Sequence, residues 1–213
     1  MISNSNKNSL VNPQCSLKDS IKIVEHGLDP NLCDLIVTEY CSENSSFNSS
    51  KIYAENGAKE NSEVRNSQYI QISDPQIINK NSLIRSEIDN SIFCSITNIV
   101  KDYIQCNSPF LSLSQDSGYE LIVYSKGSFF KEHTDQLTFS PNSFFDKGSC
   151  RQLSVVVQLN DDYSGGILSF FNDQYLIPKQ KGLAVVFPSN FLFPHRVSLV
   201  TEGTRFSLVT WLS

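Results

Sequence analysis

No run in this sequence approaches the ~20 consecutive apolar residues of a membrane-spanning helix, so the chain is not expected to enter a membrane. Its six cysteines, Cys15, Cys33, Cys41, Cys94, Cys106 and Cys150, include no C-x-x-C pair, which argues against a zinc knuckle or a thioredoxin-like redox centre. The opening MISNSNKNSLVNPQ lacks the apolar core of a secretory signal. A cytoplasmic protein with buried, reduced thiols is the expectation. Positive charge is also short: Lys and Arg number 17 against 22 Asp and Glu, a formal net charge of -5. That balance weighs against nucleic acid as the main partner, because nucleic-acid binders present a basic patch or stripe. Histidine is scarce, with only His26, His133 and His195, so the placing of each one is informative.

What is present suits one folded unit. A chain of 213 residues with 39% hydrophobic content is long enough for one proper core and short for two. Residues 1–20, rich in Asn and Ser, read as a flexible arm. Residues 21–213 read as a single domain: helical support and a lid loop over 21–110, then a β core over 111–213. Asp29 and Pro30 are suited to start a helix in which Leu32, Leu35, Ile36 and Tyr40 recur at helical spacing. Residues 42–64 are crowded with Ser, Asn and Glu and predict a long loop. A strand is expected at 69–72, and Ile84, Ile88, Ile92, Ile96, Ile99 and Tyr103 mark a longer helix that stops before Asn107.

After Leu111 the texture changes to short β-rich runs punctuated by Gly, Pro, Asn and Asp. Eight strands are expected, over 119–124, 129–134, 152–159, 167–171, 174–177, 183–187, 195–199 and 205–212. Eight such strands suggest a jelly roll or related sandwich. Helices precede strands instead of alternating with them, so the fold class is α+β, mainly β, with the helices packed outside a sheet.

The chemistry gathers in this second half. His133 and Asp135 are two residues apart, and on a strand such side chains share a face. With His195 brought in by folding, they make two imidazoles and one carboxylate with open positions, the donor set of non-haem Fe(II) sites. Ten residues on, Arg205 alternates with Ser207, Val209 and Trp211 on one face, while Phe206, Leu208, Thr210 and Leu212 take the other. A guanidinium buried on such a face needs an anion, either a bound carboxylate or a structural Asp or Glu.

These residues resemble a known family, the iron(II)- and 2-oxoglutarate-dependent dioxygenases with a double-stranded β-helix (jelly-roll, cupin-like) core. The order H-x-D, remote His, then Arg is the family's pattern. Within it the likeness is to the prolyl 4-hydroxylase branch, including the hypoxia-sensing prolyl hydroxylases. It rests on YSKGSFFKEHTD, RQLSVVVQLNDDYSGGILSFF, PKQKGLAVVFPSNFLFPHRV and TRFSLVTW. The resemblance covers 119–212 well, and the helix over 29–41 loosely. It implies that His133, Asp135 and His195 bind Fe(II) and that Arg205 pairs with the distal carboxylate of 2-oxoglutarate. It further implies that Tyr124 hydrogen-bonds that cosubstrate, that Ser207 helps hold the carboxylate, and that Leu168 forms an apolar wall beside it. Gln158 stands where hypoxia-sensing relatives have a tyrosine, and its amide can still donate.

The implied reaction takes dioxygen and 2-oxoglutarate, releases succinate and carbon dioxide, and is stimulated by ascorbate. A prolyl residue in a protein or peptide is the leading substrate. A free amino acid or other small molecule is the alternative, and a non-catalytic binding or sensing barrel the reading from another class. The loops at 42–64 and 136–149 are placed to close over either substrate. Neither the hydroxylated atom nor the oligomeric state is written in the sequence.

Overall fold

The computed structural model describes residues 16–41, 47–54, 57–107, 110–136 and 150–213. The expected arm over 1–20 lies outside these except for residues 16–20, where Ser16 caps a 3-10 turn at Leu17–Ser20. The loop at 136–149 lies outside them except for Gln136. Three helices are described, α1 (Pro30–Tyr40), α2 (Pro75–Ile78) and α3 (Ser82–Asn107). The strands before residue 110 are β1 (Lys22–Val24), β2 (Asn48–Ser49), β3 (Lys51–Ala54), β4 (Gly57–Glu60), β5 (Arg65–Asn66) and β6 (Gln68–Gln71). Those after it are β7 (Glu120–Tyr124), β8 (Phe129–His133), β9 (Leu153–Gln158), β10 (Ser164–Gly165), β11 (Leu168–Phe170), β12 (Tyr175–Leu176), β13 (Ala184–Pro188), β14 (His195–Val197), β15 (Val200–Glu202) and β16 (Arg205–Leu212).

The helices form where their caps and apolar spacing place them. The Asp29 carboxylate accepts the free N–H groups of Asn31 and Leu32 while Pro30 occupies the first turn. Along α3, Ile88, Ile92, Ile96, Ile99 and Tyr103 fall on one buried stripe. The helix continues to Asn107, beyond the stop expected for it. Arg85 of α3 reaches Glu39 of α1 at 2.7 Å and ties the two helices together.

All strand pairs are antiparallel. One sheet has the order β1-β13-β9-β16-β7-β6-β2, a second β12-β11-β14-β8-β5, and two two-stranded pairs, β10-β15 and the β3-β4 hairpin, complete the set. The helical stripe covers one face of the large sheet, packing Ile88, Ile92 and Ile96 with Val155, Val157 and Leu208. The other face presents Ile122, Val156 and Val209 to Leu168, Phe170 and Val197 of the small sheet. Three layers result, and β9 is buried at every position because it is covered on both sides. Ile92 is fully buried in the helix-to-sheet layer, so Ile92→Ala is expected to cost about 2–5 kcal/mol, read as a lower denaturant midpoint. An unchanged midpoint would contradict this packing.

Two expectations change. The segment 42–64 is not a plain loop: its described part forms β2, β3 and β4, with strand pairing supplying the order that apolar pattern does not. Among the described residues the five thiols are unpaired, but Cys94, Cys106 and Cys150 are exposed, Cys41 is half-buried and Cys33 alone of these five is fully buried; Cys15 lies outside the described residues. Among the described residues no helix is long and apolar enough to cross a membrane.

Candidate active site

β8 and β14 run side by side with His133 directly opposite His195. Asp135 lies just past the end of β8, which stops at His133 and not at residue 134 as expected. Its carboxylate is held from the other sheet: Ser154, on the inner face of β9, donates to Asp135 Oδ2 at 2.7 Å and is itself braced by Ser189 at 2.8 Å. The other oxygen, Oδ1, is 3.6 Å from Nε2 of both histidines. The three donor atoms lie within 4.8 Å of one another.

The protonation state follows from the outward-facing nitrogens. Nδ1 of His133 is 2.8 Å from the Lys131 carbonyl, and Nδ1 of His195 is 3.1 Å from the Phe193 carbonyl. A carbonyl only accepts, so each Nδ1 carries a proton, and Nε2 is in each ring the nitrogen turned toward Asp135, where it can give its lone pair to a bound cation. Burial, and then the neighbouring His195, hold the His133 imidazole well below its ordinary range. Burial alone would raise the Asp135 carboxyl, but the two imidazoles and the Ser154 hydroxyl bring it below the usual carboxylate range. Two imidazoles and one carboxylate converging through Nε2, Nε2 and Oδ1 fit a divalent cation and leave its remaining positions to other oxygen donors. Ser154→Ala removes the hydrogen bond that aims Asp135 and is expected to weaken divalent-metal affinity by about 10–100-fold, read by calorimetric titration with Mn(II). Unchanged affinity would reduce Ser154 to packing.

These side chains line a cavity of about 350 Å³ between the two sheets, together with Tyr124, Leu168, Arg205 and Ser207. Arg205 is 1% exposed. Its Nη1 donates to Ser207 Oγ at 3.0 Å, and its guanidinium lies 5.1 Å from the centre of the Tyr124 ring. Nε and Nη2 make no hydrogen bond of good geometry; the Tyr163 hydroxyl lies near enough to interact with the guanidinium, but no Asp or Glu pairs with this arginine among the described residues. Gly166 makes the room: a Cβ there would lie 3.1 Å from Arg205 Cδ, and its φ of +60° favours glycine. Two buried donors on a cation therefore await an anionic oxygen ligand, and the fit to a carboxylate is direct.

Gln158 is placed otherwise than expected. Its amide donates to the Pro178 carbonyl at 2.7 Å and accepts from the Gln180 N–H at 3.2 Å, so both of its ends are used by that turn. It does not line the cavity. His26 sits in a turn after β1 with φ of 55°, away from the site. Ser154 was not foreseen, nor were Glu120, Arg65 and Arg151, which line the cavity away from Arg205. For Glu120 a signal existed, since strand alternation from Tyr124 puts Ile122 and Glu120 on the same face.

A family model described as the 2OG-Fe(II) oxygenase superfamily matches residues 119–213. No curated protein matches the chain. Among solved structures, a Pseudomonas putida prolyl-4-hydroxylase superposes with a TM-score of 0.62 at 19% identity, over 92% of this chain and 95% of that one. The viral collagen prolyl hydroxylase of Paramecium bursaria Chlorella virus-1, solved as its 2OG complex, gives 0.60 at 13%, over 91% and 95%. A prolyl hydroxylase from Trichoplax adhaerens, in complex with a hypoxia inducible factor oxygen degradation domain peptide fragment, gives 0.66 at 14%, over 91% and 83%. At these identities the likeness is one of fold.

Proposed function

We propose, on the premise that residues 119–213 are a domain of the 2OG-Fe(II) oxygenase superfamily, that this chain hydroxylates a prolyl residue in a protein or peptide. The chain is a 2-oxoglutarate-dependent dioxygenase; the prolyl substrate is our reading. One observation carries it: the convergent His133, Asp135 and His195 set shares a cavity with the guanidinium of Arg205, which has no acidic partner among the described residues. Fe(II), when bound, supplies the dioxygen-activating chemistry.

The chain's own residues supply position and environment. Asp135, aimed by Ser154, and the two imidazoles, fixed by their backbone carbonyls, hold the ion. Arg205 takes the distal carboxylate of 2-oxoglutarate through the donors left open, and the Ser207 hydroxyl lies alongside. Tyr124 and Leu168 wall the same end, and their apolar surfaces keep water from the buried charges. The two facing antiparallel sheets support a double-stranded β-helix core over 111–213, with 21–110 as its outer support. A peptide as the substrate class is supported by the Trichoplax hydroxylase, which shares this fold and holds a peptide fragment.

The test is aerobic turnover with Fe(II), 2-oxoglutarate and ascorbate against a proline-containing peptide library, followed by mass spectrometry. Succinate together with the gain of one oxygen on a prolyl residue is the expected result. Oxygen gained only on free amino acids would move the substrate to the small-molecule class. No succinate with any peptide or amino acid would overturn the hydroxylase reading.

A further inference from the structure

The inner face of β7 carries Glu120, Ile122 and Tyr124, and all three line the cavity. β16 runs beside it with Arg205 opposite Tyr124, Ser207 opposite Ile122 and Val209 opposite Glu120. The cavity thus has a direction. Arg205 marks one end; Glu120 marks the other, four residues or roughly 13 Å along β7 from Tyr124, with Trp211 two residues further along β16 than Val209, the partner of Glu120. With the cosubstrate held by Arg205, the Glu120 end is left for the substrate.

Glu120 is hard to explain as part of the fold. Its cross-strand neighbours on that face are Val209 on one side and, on the other, Gln71, whose amide is spent on the Ser117 carbonyl, and its carboxylate makes no hydrogen bond among the described residues. Arg65 and Arg151 are the cations near it, yet burial outweighs them and the Asp135 charge adds repulsion, so its carboxyl is pushed above the usual range. Both guanidinium groups also have other work. Arg65 donates to Ser67 Oγ and the Lys51 carbonyl and lies over the Phe130 ring. Arg151 lies 3.7 Å over Trp211 and donates to the Asp135 carbonyl. A half-buried carboxylate facing a second carboxylate is completed by a cationic donor.

We propose that Glu120 selects the substrate by taking the cationic side chain of a Lys or Arg that neighbours the modified residue. The placing of the substrate end rests on the dioxygenase reading; the experiment does not need turnover. Trp211 is the only tryptophan of the chain and stands at this end of the cavity, so its fluorescence reports occupancy there. The protein loaded with Mn(II) and 2-oxoglutarate is titrated with blocked proline-containing hexapeptides that differ only in having Lys, Ala or Glu beside the proline.

The Lys peptide is expected to bind at least about tenfold more tightly than the Glu peptide, with a preference that shrinks as salt is added. Glu120→Gln, nearly the same shape, should bring the three peptides to within about twofold, and Glu120→Lys should invert the order. Melting temperatures close to wild type show that the variants are folded; if Glu120→Lys is not, the Gln variant and the salt dependence decide. The same order of affinities in all forms overturns the proposal. So does a Trp211 signal that no peptide moves, or one moved only by free lysine or proline. A Lys preference in binding without any hydroxylation would sink the prolyl hydroxylase reading and leave the role of Glu120 standing. Hydroxylation with no preference would do the reverse.

Discussion

Asp135→Ala is expected to abolish tight divalent-metal binding while leaving the metal-free protein folded. The carboxylate is the one charged donor of the set, and without it two neutral imidazoles face a dication in a buried site. Losing one partner of a buried charge pair costs about 3–5 kcal/mol, which corresponds to roughly a hundred-fold to several thousand-fold in affinity. The fold has little to lose. Asp135 lies beyond the end of β8, and Ser154 keeps its bond to Ser189 when the carboxylate is gone. The measurement is a paired one: the melting temperature without metal, which should stay near wild type, and the Mn(II)-induced rise, which should vanish. Wild-type metal stoichiometry in this variant, or in His133→Ala, would sink the triad.

The second large effect concerns Arg205, and here two readings part. If the arginine were structural, removing it would destabilise the protein at all times. In the structure its Nε and Nη2 make no hydrogen bond of good geometry and its charge is buried with no acidic partner among the described residues, so without the cosubstrate it is a burden on stability. Replacing a buried, uncompensated charge with an apolar side chain of similar volume is often neutral or stabilising. Arg205→Met should therefore melt at or above the wild-type temperature in the absence of 2-oxoglutarate. The same variant should bind 2-oxoglutarate more weakly by about 2–5 kcal/mol, some 30-fold to several thousand-fold, while keeping its Mn(II) affinity. A lower melting temperature with unchanged 2-oxoglutarate affinity would return the arginine to a structural role.

The β-rich half was legible because its strands punctuate themselves. The runs before and after each Gly, Pro or Asn matched β7, β8, β9, β11, β12, β13, β14 and β16 to within a residue or two. The two faces of β16 followed from alternation alone, with Phe206 and Leu208 toward the helices and Arg205 and Ser207 toward the cavity. What escaped lacked such a pattern. β2 to β4 are two to four residues long, carry no sustained apolar alternation and exist through pairing. Ser154 reads as one small polar residue inside LSVVVQ until Asp135 is seen beside it. For Gln158 the strand position was right and the side-chain direction was not, since a long amide has rotamers enough to leave the face and satisfy a turn.

The direct opposition of His133 and His195 across β8 and β14 has a meaning for folding. The pair is followed at once by an irregularity, because Val197 meets Phe130 and not the residue that regular pairing would supply. A slip of one position would turn each imidazole to the far side of its sheet. An ion that binds only when both lone pairs converge then acts as a proofreader of strand register. At a free concentration 100-fold above its dissociation constant it would favour the native alignment over every slipped one by about 2.7 kcal/mol.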